Sequence, residues 1–127
     1  MNIEIITIGD ELLIGQVVDT NSAWISSKMS NAGFDVTYFT SIKDRKEAIY
    51  NAVEDGFERA DILLLTGGNG PTKDDITKNT LCKIFNEELV FDSEVLKNIE
   101  TQFKEKKIEI NELTRNQAYV PQKSTVI

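Results

Sequence analysis

The chain has 127 residues, 40% of them apolar and 28% charged, which suits one globular domain with a substantial core. Its net charge of −7 argues against nucleic-acid binding and against polybasic attachment to membranes, but main-chain N–H groups can still bind a phosphate. Histidine is absent and Cys82 is the single cysteine, which excludes imidazole catalysis, histidine-bearing zinc sites and an internal disulfide. We expect a cytoplasmic protein without a signal peptide or a membrane-spanning segment.

The first half of the sequence alternates between predicted strands and helices. Ile3 to Ile8 form a β-branched apolar run, which predicts a buried strand that ends at Gly9. The next predicted element is a helix capped by Thr20 or Asn21 and stopped by Gly33, with Trp24, Ile25, Met29 and Ala32 facing inward. After it we expect a strand from Phe34 to Ile42, a helix opened by a capping box at Asp44–Glu47 with Ile49, Ala52, Val53 and Phe57 inward, and a strand at Ile62–Leu65.

The second half of the sequence predicts mainly helices. They run from about Asp75 to Phe85, from Ser93 to about Lys107, and from an Asn111 cap through Ala118, and a last strand starts at Val126–Ile127. Leu81, Ile84 and Phe85 are expected to face inward, and Cys82 to pack as a small apolar residue.

This order of elements predicts an α/β fold with three α/β/α layers and a mostly parallel sheet, since strands separated by helices are joined by crossovers. No composition shift divides the chain, so we expect residues 1–127 to form one domain. Because the sequence stops inside an expected strand, we expect that domain to be incomplete at its C-terminus.

The strongest candidate site is the glycine-rich segment Thr66-Gly67-Gly68-Asn69-Gly70-Pro71-Thr72, between a buried strand and a helix. Ligands of open parallel sheets bind at the carboxyl ends of the strands, and glycine lets the backbone approach them closely. Successive N–H groups and a helix N-terminus then favour an anion. The spacing fits neither the P-loop nor the dinucleotide motif, and a glycine-rich turn without a ligand is the alternative.

Two acidic pairs flank this segment in the expected fold. Asp74 and Asp75 open the next helix, either as caps or as a metal ligand and a general base. Asp10 and Glu11 follow the first strand, and adjacent parallel strands bring that turn near the glycines. Together these carboxylates would hold Mg²⁺, Mn²⁺ or Co²⁺ through oxygen, whereas a solvated acidic turn is the alternative reading of Asp10 and Glu11.

These motifs resemble those of the CinA-like family (competence/damage-inducible protein A). The resemblance rests on Gly9-Asp10-Glu11-Leu12-Leu13, on Gly15-Gln16, on Asp19-Thr20-Asn21-Ser22 and on the segment from Thr66 to Thr77. It implies the molybdopterin-binding-like (MogA/MoaB-like) fold, in which the glycine loop and a following aspartate, matched here by Asp75, hold a pterin phosphate or its adenylylated form.

The resemblance also implies an activity and its helpers. CinA-like proteins are associated with ADP-ribose pyrophosphatase activity that requires a divalent metal and is helped by K⁺. A nucleotide-like ligand would contact the glycine segment, Gly9 and Asn21. The family further implies a homo-oligomer and, in many members, a separate C-terminal nicotinamide mononucleotide deamidase domain.

The leading hypothesis is therefore hydrolysis of ADP-ribose or a similar nucleoside diphosphate sugar. A metal held by Asp75, with Asp10 or Glu11, would lower the pKa of a bound water, and a carboxylate, Asp75 or Asp74, would orient that water. Nucleotidyl transfer to molybdopterin uses the same loop and is the first alternative. A non-catalytic nucleotide-binding or oligomerisation module that regulates an attached deamidase domain is the second.

Overall fold

The computed structural model describes residues 1–68 and 76–127, and the chain divides into two compact units, Met1–Gly68 and Asn69–Ile127. The first unit contains β1 (Asn2–Ile8), α1 (Asp10–Leu13), α2 (Thr20–Asn31), β2 (Asp35–Ile42), α3 (Lys46–Arg59) and β3 (Ile62–Gly67). The second contains α4 (Ile76–Ile84), β4 (Leu89–Phe91), α5 (Ser93–Glu105), α6 (Glu112–Arg115), a 3₁₀ turn (Asn116–Ala118) and β5 (Tyr119–Pro121). None of the helices in these described ranges is both long and apolar enough to cross a bilayer.

A parallel three-stranded sheet forms the centre of the first unit, with the order β2-β1-β3. The central strand β1 is buried from Ile3 to Ile8, because it has a neighbouring strand on each edge. Ile8 pairs with Ile42 of β2 on one edge and with Gly67 of β3 on the other. The predicted parallel pairing is confirmed, and the carboxyl ends of the three strands meet at one edge of the sheet.

Helices cover both faces of this sheet. Side chains alternate along a strand, so Glu4 and Thr7 of β1 point to opposite faces. On the Glu4 face lies α3, whose Arg59 binds Glu4. The N-terminus of α2 lies on the Thr7 face, where Asn21 and Thr7 line the same cleft. The expected α/β/α layering is confirmed.

Several expected inward residues are exposed instead. Trp24 is 64% exposed, and the ammonium of Lys28 lies 5.5 Å from the centre of its ring. Phe57 and Phe85 are each about half exposed, although Cys82 is buried as expected. The buried stripe of α3 consists of Ile49, Ala52, Val53 and Gly56. Phe57 lies one residue beyond that stripe, where the helix has already turned by about 100°.

Two helix starts differ from the predicted caps. Asp19, not Thr20 or Asn21, caps α2, because its carboxylate accepts a hydrogen bond from the Ser22 N–H. The capping box at Asp44–Glu47 does not form; α3 is preceded by Arg45, whose side chain makes no capping hydrogen bond. The predicted Asn111 cap is confirmed, since its side-chain oxygen accepts from the Thr114 N–H.

The second unit contains a small antiparallel sheet that the sequence pattern did not predict. β4 pairs with β5, and the rings of Phe91 and Tyr119 meet edge to face at 5.5 Å. The prediction that a strand starts at Val126–Ile127 was wrong, because the last strand of the described chain is β5 at Tyr119–Pro121. Strands of three residues are too short to show the alternation on which a strand prediction depends.

Glu4 is a buried charge in the middle of the central strand. Its carboxylate accepts hydrogen bonds from Nε and Nη2 of Arg59 at 2.9 and 2.7 Å, and from the Thr40 hydroxyl at 2.5 Å. Burial by itself raises the pKa of this carboxyl, but the hydrogen bonds from Arg59 and Thr40 and the charge of Arg59 lower the pKa below its ordinary value overall. When Glu4 is charged, its ion pair with Arg59 connects β1 to α3, and its hydrogen bond from Thr40 connects β1 to β2.

We expect acid to weaken the fold through this group. Because the pKa of Glu4 is lower in the folded than in the unfolded chain, its stabilising contribution is complete at neutral pH. That contribution is lost as the pH falls from the ordinary glutamate range through the lowered pKa. Urea unfolding between about pH 7 and about pH 3 should show a shallower loss of stability in Glu4→Gln than in the wild type. Glu54→Gln, on the exposed side of α3, is the matched control; parallel curves for Glu4→Gln and the wild type would contradict the assignment.

Candidate functional site

A cleft of about 140 Å³ opens in the first unit where β1 and β3 end. This is the carboxyl edge of the sheet, the usual place for ligands in open parallel sheets. The cleft is bounded by the two strand ends, by α1, by the segment before α2 and by the first turn of α2. Its lining residues are Thr7, Ile8, Glu11, Leu12, Val17, Val18, Asp19, Thr20, Asn21, Thr66 and Gly67.

Gly67 allows β3 to end directly against β1. It has a φ of +90°, and a Cβ at this position would lie 2.1 Å from the carbonyl oxygen of Ile8. Gly68 follows with a φ of +66°. No other residue type fits at position 67, because both the available space and the positive φ exclude a side chain there. The chain therefore leaves the sheet at a fixed point beside the cleft.

The N-terminus of α2 forms one wall of the cleft. The two carboxylate oxygens of Asp19 accept from the N–H and the hydroxyl of Ser22, at 2.9 and 2.5 Å. Asn21, one of the predicted ligand-binding residues, lines the cleft in the first turn of this helix. The capping bonds occupy the carboxylate of Asp19, so its main effect is to fix where the helix starts.

Glu11 of α1 is the acidic residue of the motif Gly9-Asp10-Glu11-Leu12-Leu13 that lines the cleft. Neither a hydrogen bond nor an ion pair to this carboxylate occurs within residues 1–68 and 76–127. A Cβ on Gly9 would lie 2.7 Å from Oε1 of Glu11 and 3.0 Å from Oε2, so both oxygens rest over the glycine. The φ of Gly9 is 168°, an extended value open to any residue. Gly9 is therefore required for space and not for backbone conformation, because a side chain there would displace the Glu11 carboxylate.

Asp10 has different surroundings from its neighbour Glu11. The main-chain N–H of Asp44 donates to Oδ1 of Asp10 at 3.3 Å, and Asp10 does not line the cleft. Gly9, predicted to bind ligand, donates its N–H to the Ile42 carbonyl at 3.0 Å and also lies outside the cleft wall. Of the sequence-predicted site residues, the cleft brings together Glu11, Asn21, Thr66 and Gly67.

Divalent-metal binding is not explained by the described residues alone. In those parts of the chain, no three acidic or cysteine side chains lie close enough together to hold a metal ion. Six predicted site residues lie outside the described residues, namely Asn69, Gly70, Pro71, Thr72, Asp74 and Asp75. Of the two predicted metal ligands that the structure describes, Glu11 lines the cleft and Asp10 does not.

The structure adds site residues that the sequence reasoning missed. Thr7 is buried in β1 and shares a hydrogen bond with the Ser41 hydroxyl at 2.8 Å. Leu12, Val17 and Val18 line the apolar part of the cleft. A single threonine inside an isoleucine-rich strand was the available signal for Thr7, whereas Val17 and Val18 carry no pattern that marks a site.

Thr77, at the start of α4, is a buried polar residue of the second unit. It is 2% exposed, and its hydroxyl has no hydrogen-bond partner within the described chain. Buried hydroxyls are nearly always bonded, so an unpaired one marks a place where a polar ligand group would gain a bond. The same unit has a larger cavity, of about 390 Å³, between α4 and β5, which contains none of the predicted site residues.

Replacing Gly67 should separate the two reasons for glycine at this position. We expect Gly67→Ala to lower the free energy of unfolding by about 3 kcal/mol or more, since backbone strain and a clash with Ile8 add. Gly33→Ala is the matched control, because Gly33 also has a positive φ, of +86°, but nothing lies within 4 Å of its added Cβ. It should cost only about 1–2 kcal/mol. Equal losses in urea unfolding would show that the close approach to Ile8 is unimportant.

Comparison with known proteins agrees with this geometry. The family described as "Probable molybdopterin binding domain" matches residues 4–127. A competence-damage inducible protein of Caldicellulosiruptor saccharolyticus is 40% identical over 127 residues, which is 100% of this chain and 31% of that protein. The chain thus spans about a third of the length of that relative.

Solved structures show the same fold. The crystal structure of the protein CinA from Thermoplasma acidophilum matches with a TM-score of 0.79 and 29% identity, over 95% of this chain and 70% of that one. The molybdopterin biosynthesis enzyme MoaB from Thermus thermophilus matches with a TM-score of 0.63 and 19% identity, over 94% and 78% of the two chains. At that lower identity the likeness concerns the fold alone. With the family match over nearly its whole length, the chain belongs to the molybdopterin-binding domain family and is a CinA-like member of it.

Proposed function

We propose that this chain is the nucleotide-binding part of a metal-dependent pyrophosphatase that acts on ADP-ribose or a similar nucleoside diphosphate sugar. The observation that supports it is the cleft at the carboxyl ends of β1 and β3, with Gly67 and Gly68 at its edge. A ligand at this edge lies beside a main chain without side chains, so its phosphates can approach backbone N–H groups closely.

The size of the cleft indicates how such a ligand would lie. Pockets that enclose a whole drug-sized ligand measure about 300–1,000 Å³. The cleft measures about 140 Å³ and therefore has room for only one part of a nucleoside diphosphate sugar. The rest of the ligand must extend beyond it, and in our proposal the pyrophosphate follows the segment Thr66–Thr72.

The reaction needs one water and one group that accepts a proton. The water oxygen attacks one phosphorus atom, the bond from that phosphorus to the bridging oxygen breaks, and the bridging oxygen leaves with the other phosphate. ADP-ribose then yields AMP and ribose 5-phosphate. With no histidine in the chain, a carboxylate must accept the proton of the water, and Asp75 is our candidate, with Asp74 second.

A divalent ion (Mg²⁺, Mn²⁺ or Co²⁺), helped by K⁺, belongs to this proposal. Because no three acidic or cysteine side chains of the described residues form a metal site, any such ion would need Asp74, Asp75 or the phosphates of the substrate in addition. In the first unit, Glu11 is the acidic lining residue of the cleft whose carboxylate is not bonded to another described residue, since Asp19 bonds Ser22.

A second candidate is nucleotidyl transfer to molybdopterin. The family match supports it, since that family is described as molybdopterin binding. The relative from Caldicellulosiruptor extends well beyond the matched segment, so a non-catalytic module beside another domain is the remaining possibility. Both candidates predict ligand binding without release of AMP from ADP-ribose.

Turnover by the full-length protein separates these functions. We expect AMP release from ADP-ribose in the presence of Mg²⁺, Mn²⁺ or Co²⁺, and a loss of about 10²–10⁴-fold in Asp75→Asn, because the proton acceptor is removed. Asp35→Asn, an exposed carboxylate in β2, is the control and should keep wild-type activity. Binding of ADP-ribose measured by calorimetry, without AMP under any of the three metals, would reject hydrolysis in favour of a binding module.

A further inference from the structure

The cleft in the first unit has an acidic wall. Among the residues that the structure describes, its charged lining residues are Glu11 and Asp19, and neither lysine nor arginine is part of the lining. A phosphate group placed inside it would meet two negative charges at short range. These described walls therefore favour an uncharged ligand group that is rich in hydrogen-bond donors over a phosphate.

The two carboxylates differ in what they have left to offer. Asp19 uses both oxygens to bond Ser22. Glu11 has no such bonds in the described chain; it lines the cleft, and its two oxygens lie over the adjacent Gly9. An ionised carboxylate only accepts hydrogen bonds, and its two oxygens can accept from two neighbouring hydroxyl groups.

We propose that Glu11 binds the vicinal hydroxyls of a ribose and holds the sugar in the cleft, while the pyrophosphate remains outside. This inference rests on the proposed function and names the part of the substrate that the cleft recognises. In dinucleotide-binding folds an acidic residue after a strand binds ribose hydroxyls for the same physical reason. The assignment takes Glu11 out of the metal site that the sequence suggested and makes it a specificity residue.

The size and the lining of the cleft agree with a sugar. A volume of about 140 Å³ is below the roughly 300–1,000 Å³ of pockets that enclose a whole drug-sized ligand, so it suits one sugar ring better than a base with its sugar. Thr66 and Asn21 add polar groups to the wall, whereas Leu12, Val17 and Val18 provide an apolar side for the carbon face of the ring.

Gly9 provides an independent handle on the same carboxylate. Alanine is compatible with the extended backbone there, but its Cβ would lie 2.7 Å from Oε1 of Glu11. Gly9→Ala therefore moves the carboxylate without removing its charge. If Glu11 binds the sugar, Gly9→Ala and Glu11→Gln must weaken recognition of the same hydroxyls.

The test is a set of binding measurements on the full-length protein, by calorimetry without added metal. The probes are ADP-ribose, ADP, which lacks the second ribose, and 2′,3′-dideoxy-ADP, which lacks the hydroxyls of the first. Two comparisons are made, ADP-ribose with ADP and ADP with 2′,3′-dideoxy-ADP. In one of them we expect the wild type to lose about tenfold or more in affinity, which is the value of a charge-assisted hydrogen bond. In Glu11→Gln and Gly9→Ala this loss should shrink to less than threefold, whereas Glu54→Gln should show the same loss as the wild type.

Each other outcome has a clear meaning. Equal losses for all three probes in Glu11→Gln, or no loss at all, would overturn the assignment. So would a Glu11→Gln variant that keeps the hydroxyl preference but needs more divalent metal for half-maximal turnover, since Glu11 would then be a metal ligand. Hydroxyl discrimination that depends on Glu11, together with a complete lack of AMP release, would reject the proposed hydrolysis and support the sugar site.

Discussion

The contact between the backbone of β3 and the backbone of β1 at Gly67 determines where the candidate site can exist. A side chain there would overlap the Ile8 carbonyl, and the neighbouring amide of Gly9 is bonded to the Ile42 carbonyl of β2. Main-chain contacts thus hold all three strand ends together, and the hydroxyl pair of Thr7 and Ser41 adds a side-chain hydrogen bond between β1 and β2. A cleft above such an edge has a floor of fixed shape, which favours a preorganised ligand site.

One strand serves stability on one face and ligand binding on the other. Glu4 faces α3 and forms a buried ion pair with Arg59, whereas Thr7 faces the cleft. The same division occurs in α1, where successive side chains are turned by about 100°. Asp10 accepts a hydrogen bond from the Asp44 N–H, and Glu11 reaches the cleft. Two adjacent acidic residues in a motif therefore need not share one function.

The sequence was sufficient for features that depend on regular patterns. The apolar run of β1, the inward residues Ile49, Ala52 and Val53, and the parallel pairing were all predicted correctly. The prediction that Trp24 faces inward was wrong, because the sequence of a polar helix does not show which of its faces packs on the sheet. The cleft wall at Val17 and Val18 was missed, since it lies in an irregular segment whose path depends on tertiary contacts.

One fold can serve both hydrolysis and nucleotidyl transfer, because the chemistry depends on the site and not on the fold. The cleft of the first unit is more informative, since its size limits what can lie beside the phosphates. A volume of about 140 Å³ with an acidic wall suits a hydroxylated sugar ring, whereas a tricyclic pterin needs more room and brings its own phosphate. The same argument explains why a net charge of −7 is compatible with an anionic ligand. In our proposal, the main chain near Gly67 and Gly68 meets the negative charge of that ligand, and the acidic side chain of Glu11 meets its neutral end.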